Sequence, residues 1–341
     1  MEQSRATLKD VAIRSGYALR TVKKVMSGTE HVGHKTRISV LKAAEELNYQ
    51  RNIIASALSR GKDTRIAIIY TEMTKPYFPE VEKGFVQCAK ELRDYGLSIE
   101  LIKLYDSDVN CQIEAVKQIL SDGSIDGLII QPIDSSLLDP YLNELSEQGR
   151  PVITFGSDAP LSSRISYVGP DAYKAGRISA QIMANYIAKK GHVALISGSY
   201  RHSQTGDRVR GFKDRVSEYY PDLYLTELIT AKDNPTFYYD FIKTLVSNES
   251  IQGLYCTSAN AYIAGEVLRD MGVKDAVVVG FDISQMATDL MKQGHLKVII
   301  EQNPFHFSYV ALKTMFNYIY LNEKPQELQH TAISILTSEC L

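Results

Sequence analysis

The sequence predicts a small all-α N-terminal domain followed by a larger, two-lobed α/β body built on two doubly wound parallel sheets. Residues 1–62 hold 12 Lys and Arg against 5 Asp and Glu, a balance of +7, which leaves 26 against 35, or −9, for residues 63–341. From Arg65 onward, apolar strand-like runs alternate with amphipathic helical stretches, as in parallel sheets with crossover helices. About ten such strands are more than one sheet usually carries, so two similar sheets are expected.

Two of the three helices predicted in the basic unit are arranged around a glycine. Thr7 can cap a helix over residues 8–15, because its hydroxyl can accept a hydrogen bond from a backbone N–H of the first turn. Gly16 permits a tight turn, and a second helix follows over about residues 19–26, which Gly28 can end. The side chains expected to face the core are Leu8, Val11, Ala12, Val22 and Val25.

A third helix is predicted over about residues 36–47, with Ile38, Leu41, Ala44 and Leu47 facing the same small core. A basic helical unit on an acidic body has the charge asymmetry of a nucleic-acid-binding module attached to another domain. The N-terminal domain is therefore the first candidate for a functional surface.

The cysteines and the missing motifs argue against several classes of function. The four cysteines are widely spaced, with no C-x-x-C pair, which argues against a zinc site or a disulfide framework and fits reduced thiols in the cytoplasm. With no apolar leader and no run of about 18 apolar residues, secretion and membrane insertion are not expected. The motifs G-x-S-x-G, H-E-x-x-H, G-x-x-x-x-G-K-[ST] and G-x-G-x-x-G are absent, so we expect neither catalysis nor a cofactor or metal.

Several motifs, in their order and spacing, carry a resemblance to a known family. They are TLKDVAIRSG and TVKKVMSG within residues 7–28, KTRISVLKAAEELNYQRN (35–52) and IIASALSRG (53–61). By these motifs the chain resembles, over essentially its whole length, the lactose/galactose repressor family of bacterial transcription regulators. The resemblance implies a cytoplasmic repressor that binds a pseudo-palindromic operator in double-stranded DNA as a homodimer.

The resemblance also implies how the chain is divided. The domains would be a helix-turn-helix DNA-binding domain (1–51), a hinge helix or linker (52–63), and a two-lobed effector-binding and dimerisation domain (64–341). This body is similar to the sugar-binding proteins of bacterial uptake systems, a periplasmic-binding-protein-like fold. Its N-lobe is expected at about 64–160 and 288–321, and its C-lobe at about 161–287 and 322–341. A small sugar or sugar derivative would control operator affinity allosterically.

By the resemblance, the second helix enters the major groove with its N-terminal residues facing the base edges. Arg20 could then bond guanine in a fork, Lys24 could do so as a point donor, and Leu19 offers an apolar face to a thymine methyl group. Ala18 replaces a capping Ser that is usual in the family, which weakens the helix start by about 1 kcal/mol. The remaining predicted DNA contacts of this domain, mostly to phosphates, are Thr7, Lys9, Thr21, Lys23, His31 and Lys35.

The linker has its own predicted role in DNA binding. Residues 52–60 are too few for a stable isolated helix, and in the family this segment folds when paired with its dimer mate on DNA. Leu58 matches the leucine that wedges into the minor groove, a step that costs a few kcal/mol of duplex unstacking. Asn52 and Ala55 belong to the same predicted contact set, and Arg51 replaces the usual proline before the linker.

The predicted effector site lies in the body. Ligands in such folds bind at the carboxyl ends of the strands, here in the cleft between the two lobes. Tyr77 and Phe78 follow the first strand and could stack on a sugar ring, whereas Asp158 either contacts the ligand or stiffens the hinge. The residues that the resemblance places at the effector are Lys75, Tyr77, Phe78, Asp158, Arg208, Asn260, Asp282 and Gln302.

Some polar groups that are common in such sites are replaced here. Gly156 stands in place of an Asp, Ala259 in place of an Asn, and Lys75 where sugar-binding relatives often have Asn. A buried hydroxyl without a partner costs about 1–3 kcal/mol, so the commonest sugars in their commonest pose are not expected. Lys75 favours an anionic sugar, or the site is remodelled for an inositol-like polyol. The alternative function is a DNA-binding regulator whose body responds to a protein partner.

Overall fold

The computed structural model describes residues 6–26, 32–49, 63–71, 77–105, 108–198, 203–229, 235–248 and 250–341. Five of the predicted functional residues, His31, Asn52, Ala55, Leu58 and Lys75, lie outside these ranges, as does all but the last residue of the predicted linker.

The N-terminal domain contains helices α1 (Leu8–Ser15), α2 (Leu19–Met26) and α3 (His34–Glu46), which confirms the predicted extents of the first two. Thr7 caps α1 in a reciprocal arrangement with Asp10, and Gly16 ends it in the left-handed region at φ 74°. The core of the domain consists of Val11, Val22, Val25, Val40, Ala43 and Ala44.

The predicted core face of α3 is partly wrong. Ile38 and Leu41 are 54% and 49% exposed, whereas Val40 is fully buried. A helix advances about 100° per residue, so a short helix buries only one narrow stripe, and here that stripe passes through Val40, Ala43 and Ala44. The two larger aliphatic residues lie beside the stripe, because this small three-helix core accepts small side chains from α3.

The body contains two six-stranded sheets, counted over the described residues. The first has the order β11-β5-β4-β3-β1-β2 and the second the order β12-β10-β9-β8-β6-β7. Neighbouring strands in these ranges pair in parallel apart from β12, which is antiparallel to β10. The strands are β1 (Thr64–Thr71), β2 (Leu97–Leu104), β3 (Gly127–Ile130), β4 (Val152–Phe155), β5 (Ser166–Pro170), β6 (Gly191–Ser197), β7 (Leu223–Ile229), β8 (Gly253–Cys256), β9 (Val277–Phe281), β10 (Val298–Glu301), β11 (Leu328–Thr331) and β12 (Ser334–Leu336).

Helices pack on both faces of each sheet, so the predicted pair of doubly wound sheets is confirmed. In the described ranges each sheet has an apolar core on either face, built from aliphatic strand residues and the inner stripes of the helices. The helices are α4 (Tyr77–Leu92), α5 (Val109–Ser121), α6 (Ser135–Glu147), α7 (Ala172–Tyr186), α8 (Ser203–Tyr219), α9 (Pro235–Asn248), α10 (Ala261–Asp270), α11 (Gln285–Lys292) and α12 (Pro304–Phe316).

The lobe boundaries differ from the predicted ones. β5 and β11 fall in the predicted C-lobe but complete the first sheet, and β10 falls in the predicted N-lobe but lies in the second sheet. In the described ranges the chain therefore passes between the lobes after β5, after β10 and after β11. The buried strands of both sheets have the same apolar pattern, and β11 and β12 lack an apolar run, so the sequence does not reveal which sheet each strand joins.

Candidate functional site

A buried polar cluster lies at the carboxyl ends of strands of the second sheet. Arg208 of α8 is 3% exposed, and its Nη1 donates to the carbonyl oxygen of Thr257, just after β8, at 2.6 Å. Its guanidinium carbon lies 3.7 Å from the ring centroid of Phe281, the last residue of β9. A cation stacked on an aromatic face and hydrogen-bonded to a carbonyl is held in one orientation.

Gln302 connects the members of this cluster. It follows β10, and its Nε2 donates to Oδ1 of Asp282 at 2.7 Å. Its Oε1 accepts from Nη2 of Arg208 and from Nε2 of Gln204, the latter at 2.9 Å. Asp282 has a φ of 62°, a conformation that non-glycine residues adopt mainly where function or packing requires it. The structure thus brings together Arg208, Asp282 and Gln302, three of the predicted effector residues.

The cluster has an unusual charge environment. Burial raises the pKa of Asp282 to about 7, the Arg208 guanidinium opposes that shift, and the nearby Glu301 adds to it. Burial also lowers the pKa of Arg208, with Asp282 opposing. A buried carboxyl with a pKa close to neutrality, next to a single cation, is typical of functional sites.

Two polar atoms of the cluster have no hydrogen-bond partner within the described part of the chain. They are Nε of Arg208 and Oγ1 of Thr257, and both are buried. Buried donors are normally satisfied, so a ligand or an ordered water that reached these two atoms would complete the hydrogen bonding of the cluster. Asn260, at the start of α10, is 5% exposed and follows the same strand as Thr257.

The first lobe contributes Tyr77, which is also largely buried. Burial, and then the negative charge of Asp282, raise the pKa of its phenol. Its hydroxyl accepts a long hydrogen bond of 3.5 Å from Nε2 of Gln131, which follows β3. Gly156 has a φ of 64°, and a Cβ there would lie 3.1 Å from the Tyr77 hydroxyl and 3.0 Å from the Gln131 amide. Gln131 was not among the predicted residues, although its place directly after a buried strand could have indicated it.

Phe78 lies in the hydrophobic core instead of at the polar cluster. Its ring stacks on that of Tyr70 at 5.9 Å with the planes 9° apart, and Tyr77 meets it edge-on at 4.9 Å. Tyr77 belongs to the same apolar core and is equally buried, and its phenol also lies in the electrostatic surroundings of Asp282.

Asp158 has a structural environment. Both its carboxylate oxygens accept from Arg164, at 2.5 and 2.7 Å, and Oδ1 also accepts from the Thr154 hydroxyl at 2.6 Å. Its backbone N–H donates to the hydroxyl of Ser203 on α8 at 3.0 Å, which joins the two lobes. These contacts favour the hinge role over a ligand contact. Arg164 and Ser203 were not predicted, and nothing in the sequence pattern singled them out.

A cavity of about 300 Å³ lies between the lobes next to the cluster. It is lined from the first lobe by Gly156 and Tyr167 and from the second by Asp171, Tyr173 and Gln204. Gly156, Gln204 and the Asp158, Arg164 and Ser203 side chains described above also line this cavity, whereas Arg208, Asp282 and Gln302 are not in its lining. The volume is at the lower end of the usual range for small-molecule pockets.

The predicted DNA-reading face lies on α2. Val22 and Val25 are buried against the neighbouring helices, whereas Arg20, Lys23 and Lys24 are exposed and Leu19 and Thr21 are half-buried. Lys9 on α1 and Lys35 on α3 are also exposed. Thr7 has its hydroxyl hydrogen-bonded to Asp10, which makes it a cap of α1 in this structure.

The part of the chain that the structure describes contains no helix long and apolar enough to cross a membrane. The same residues include no group of three or more His, Cys, Asp or Glu side chains that could hold a metal ion.

Two family models match the chain, one over the N-terminal helical domain and one over most of the α/β body. The family model described as "Bacterial regulatory proteins, lacI family" matches residues 7–52, and the "Periplasmic binding protein domain" model matches residues 66–324. The HTH-type transcriptional regulator MalR of Streptococcus pneumoniae is 29% identical over 220 residues, which span 62% of this chain and 63% of MalR. The sucrose operon repressor of Pediococcus pentosaceus is 25% identical over 303 residues, 87% of each chain.

Among solved structures, the fold is similar to that of GanP, a glucose-galactose binding protein from Geobacillus stearothermophilus. The TM-score is 0.76 at 25% identity, and the match covers 82% of this chain and 99% of GanP. The two matched models follow one another along the chain, first the lacI-family model and then the periplasmic binding protein model. The chain thus combines a helix-turn-helix domain of the LacI family of bacterial regulatory proteins with a body that belongs to the periplasmic binding protein domain family.

Proposed function

We propose that the protein is a sequence-specific DNA-binding transcriptional repressor whose operator affinity is controlled by a small sugar-like effector bound between its lobes. The observation that carries this proposal is the buried cluster of Arg208, Gln302 and Asp282 at the strand ends. Such a cluster offers both donors and an acceptor to a hydroxyl-rich ligand. The protein acts in the cytoplasm as a homodimer on a pseudo-palindromic operator, with no catalytic role and no membrane association.

The control mechanism follows from where the cluster lies. Gln302 lies between β10 and Asn303, the N-cap of α12, so it is part of one of the segments by which the chain passes between the lobes. A ligand that contacts Gln302 and Tyr77 together favours one relative position of the lobes. An effector shifts DNA affinity only by its differential affinity for the two states, typically about 1–3 kcal/mol. The second candidate function is a DNA-binding regulator whose body responds to a protein partner. The burial of the polar cluster argues against it.

The effector class can be narrowed by charge. Arg208 is the cation that faces Asp282 in the described cluster, and Glu301 is a second nearby carboxylate. An anionic ligand would be repelled by both carboxylates, so the cluster favours a neutral polyol, whereas Lys75 is the residue that favours an anionic sugar. D-glucose and D-galactose, named for GanP, are reasonable first probes.

A thermal-shift panel of neutral and acidic sugars tests this choice. We expect neutral sugars to raise the melting temperature, because a ligand that binds only the folded state stabilises it by mass action. Acidic sugars of the same size serve as the matched comparison. If only the acidic sugars stabilise the protein, the effector is an anionic sugar instead of a neutral polyol, and Lys75 is the residue that favours it.

The DNA-binding part is tested by two substitutions with different expected effects. Selection from a random DNA pool with Arg20→Ala should give a relaxed preference at one base pair of each half-site, since a good side-chain–base pair contributes about 1–3 kcal/mol of discrimination. Lys35→Ala should weaken binding to all sequences alike and make the salt slope shallower by about one unit. An unchanged selected sequence for Arg20→Ala would remove Arg20 from the base-reading set.

A further inference from the structure

Glu301, the last residue of β10, uses its carboxylate to join two neighbouring segments. Oε2 accepts from the backbone N–H of Ile283 at 3.0 Å, and Oε1 accepts from the backbone N–H of Asn303 at 2.9 Å. Ile283 directly follows Asp282, and Asn303 directly follows Gln302. One partly buried side chain therefore holds the backbone beside two members of the polar cluster.

The backbone at these points is one that needs support. Asp282 has a φ of 62° and Asn303 a φ of 54°, both in the left-handed region that non-glycine residues adopt when their surroundings hold them there. Asn303 also accepts a hydrogen bond from the backbone N–H of His306 at 3.1 Å and so begins α12. The carboxylate of Glu301 thus lies between the Asp282 loop and the passage from the second lobe into the first.

We propose that Glu301 is a positioning residue for effector binding, which fixes Asp282 and Gln302 in their binding orientation and links them to the interlobe passage. The inference rests on the proposed function, since it assumes that these two side chains meet the effector. A carboxylate has two acceptor oxygens and can serve two N–H donors, whereas the amide of Gln has one acceptor and a donor that would face an N–H.

The negative charge of Glu301 is unfavourable beside the carboxyl of Asp282. Its presence there therefore needs a compensating interaction, which the two backbone hydrogen bonds supply. Its negative charge lies close enough to Asp282 to raise the pKa of that buried carboxyl. The other groups that face Asp282 are Arg208 of α8 and Gln302. Asp282 in turn raises the pKa of the Tyr77 phenol on α4. A glutamate beside a buried carboxyl has an electrostatic cost, which the two backbone hydrogen bonds offset.

Three variants of the full-length protein separate position from charge. Glu301→Gln keeps the length and removes the charge, whereas Glu301→Asp keeps the charge but is one methylene too short to reach both amides. Glu147→Gln, an exposed residue of α6, is the matched control. Hydrogen exchange by mass spectrometry of peptides covering residues 282–284 and 302–304, without any sugar, should be faster in both Glu301 variants and unchanged in the control.

Two further measurements distinguish positioning from a general structural role. D-galactose or D-glucose affinity by calorimetry should fall about tenfold in both Glu301 variants, as expected for a lost hydrogen bond to a charged group. The pH range over which the titration of Asp282 changes the melting temperature should shift to lower pH in Glu301→Gln and remain unchanged in Glu301→Asp. Wild-type affinity in Glu301→Asp, or wild-type exchange in either Glu301 variant, overturns the proposal.

The experiment also keeps this inference apart from the proposed function. If the wild-type protein binds neither sugar, the choice of effector class is wrong, and the exchange and pH measurements still decide the role of Glu301. If the sugars bind and the Glu301 variants exchange as the wild type does, the proposed function stands and the positioning role fails.

Discussion

Arg208→Met is expected to abolish the response to effector while leaving operator binding without effector intact. The substitution keeps an unbranched side chain over the Phe281 ring but removes the donors that Arg208 directs at Gln302 and at the Thr257 carbonyl oxygen, and Gln302 keeps only its bond from Gln204. Because buried acceptors lose their partners and Asp282 loses its cation, we expect at least a hundredfold loss of sugar affinity, equivalent to about 3 kcal/mol. The readout is an operator mobility shift with and without D-galactose or D-glucose.

Arg210→Met is the matched control for this prediction. Arg210 lies two residues further along α8, is exposed, and forms an ion pair with Asp207 at 2.7 Å, so the same chemical change there leaves the cluster untouched. Exposed ion pairs of this kind contribute little to stability. A wild-type effector response in Arg208→Met would mean that the effector binds elsewhere, with the interlobe cavity as the next place to examine.

Much of the fold could be predicted from sequence, because alternating apolar and amphipathic segments predict parallel strands and crossover helices directly. α1 and α2 have the predicted bounds, and the first strand of the body runs over Thr64–Thr71, where RIAIIY was identified. β11 and β12 are short and mostly exposed, so they lack the apolar run that marks a strand. Those strands, and the sheet that each one joins, depend on long-range pairing that local sequence does not encode.

The candidate site was predictable to the extent that its residues follow strand ends. Asp282 and Gln302 follow strand ends, Arg208 was placed at the effector by the family resemblance, and the structure links the three by hydrogen bonds through Gln302. Tyr77 and Phe78 were assigned to the effector as an aromatic pair after a strand, and in the structure both pack in the apolar core, where Phe78 stacks on Tyr70. The Asp158–Arg164 pair could not be inferred, since a carboxylate after a strand has the same sequence signature whether it meets a ligand or an arginine.

The contribution of Asp282 to wild-type stability should fall as the pH rises from about 4 to about 7, and Asp282→Asn should remove it. The carboxyl of Asp282 has a pKa of about 7 in the folded protein, against an ordinary aspartate value of 3.8. Between these values the folded state retains a proton that the unfolded state has released, so each rise in pH favours unfolding. Above pH 7 both states are ionised, and the contribution, a few kcal/mol at most, becomes constant.

Melting temperatures of the wild type and Asp282→Asn between pH 4.5 and pH 8, roughly the window set by this linkage, measure the effect. The difference between the two curves isolates Asp282 from the histidines and surface carboxylates that titrate in both proteins. Sugar affinity should depend on pH in the opposite direction to stability. A ligand hydroxyl that donates to Asp282 prefers the ionised carboxylate, so sugar affinity should rise with pH up to about 7. Parallel melting curves, together with a pH-independent sugar affinity, would show that Asp282 is ionised throughout and that its partners compensate fully for its burial.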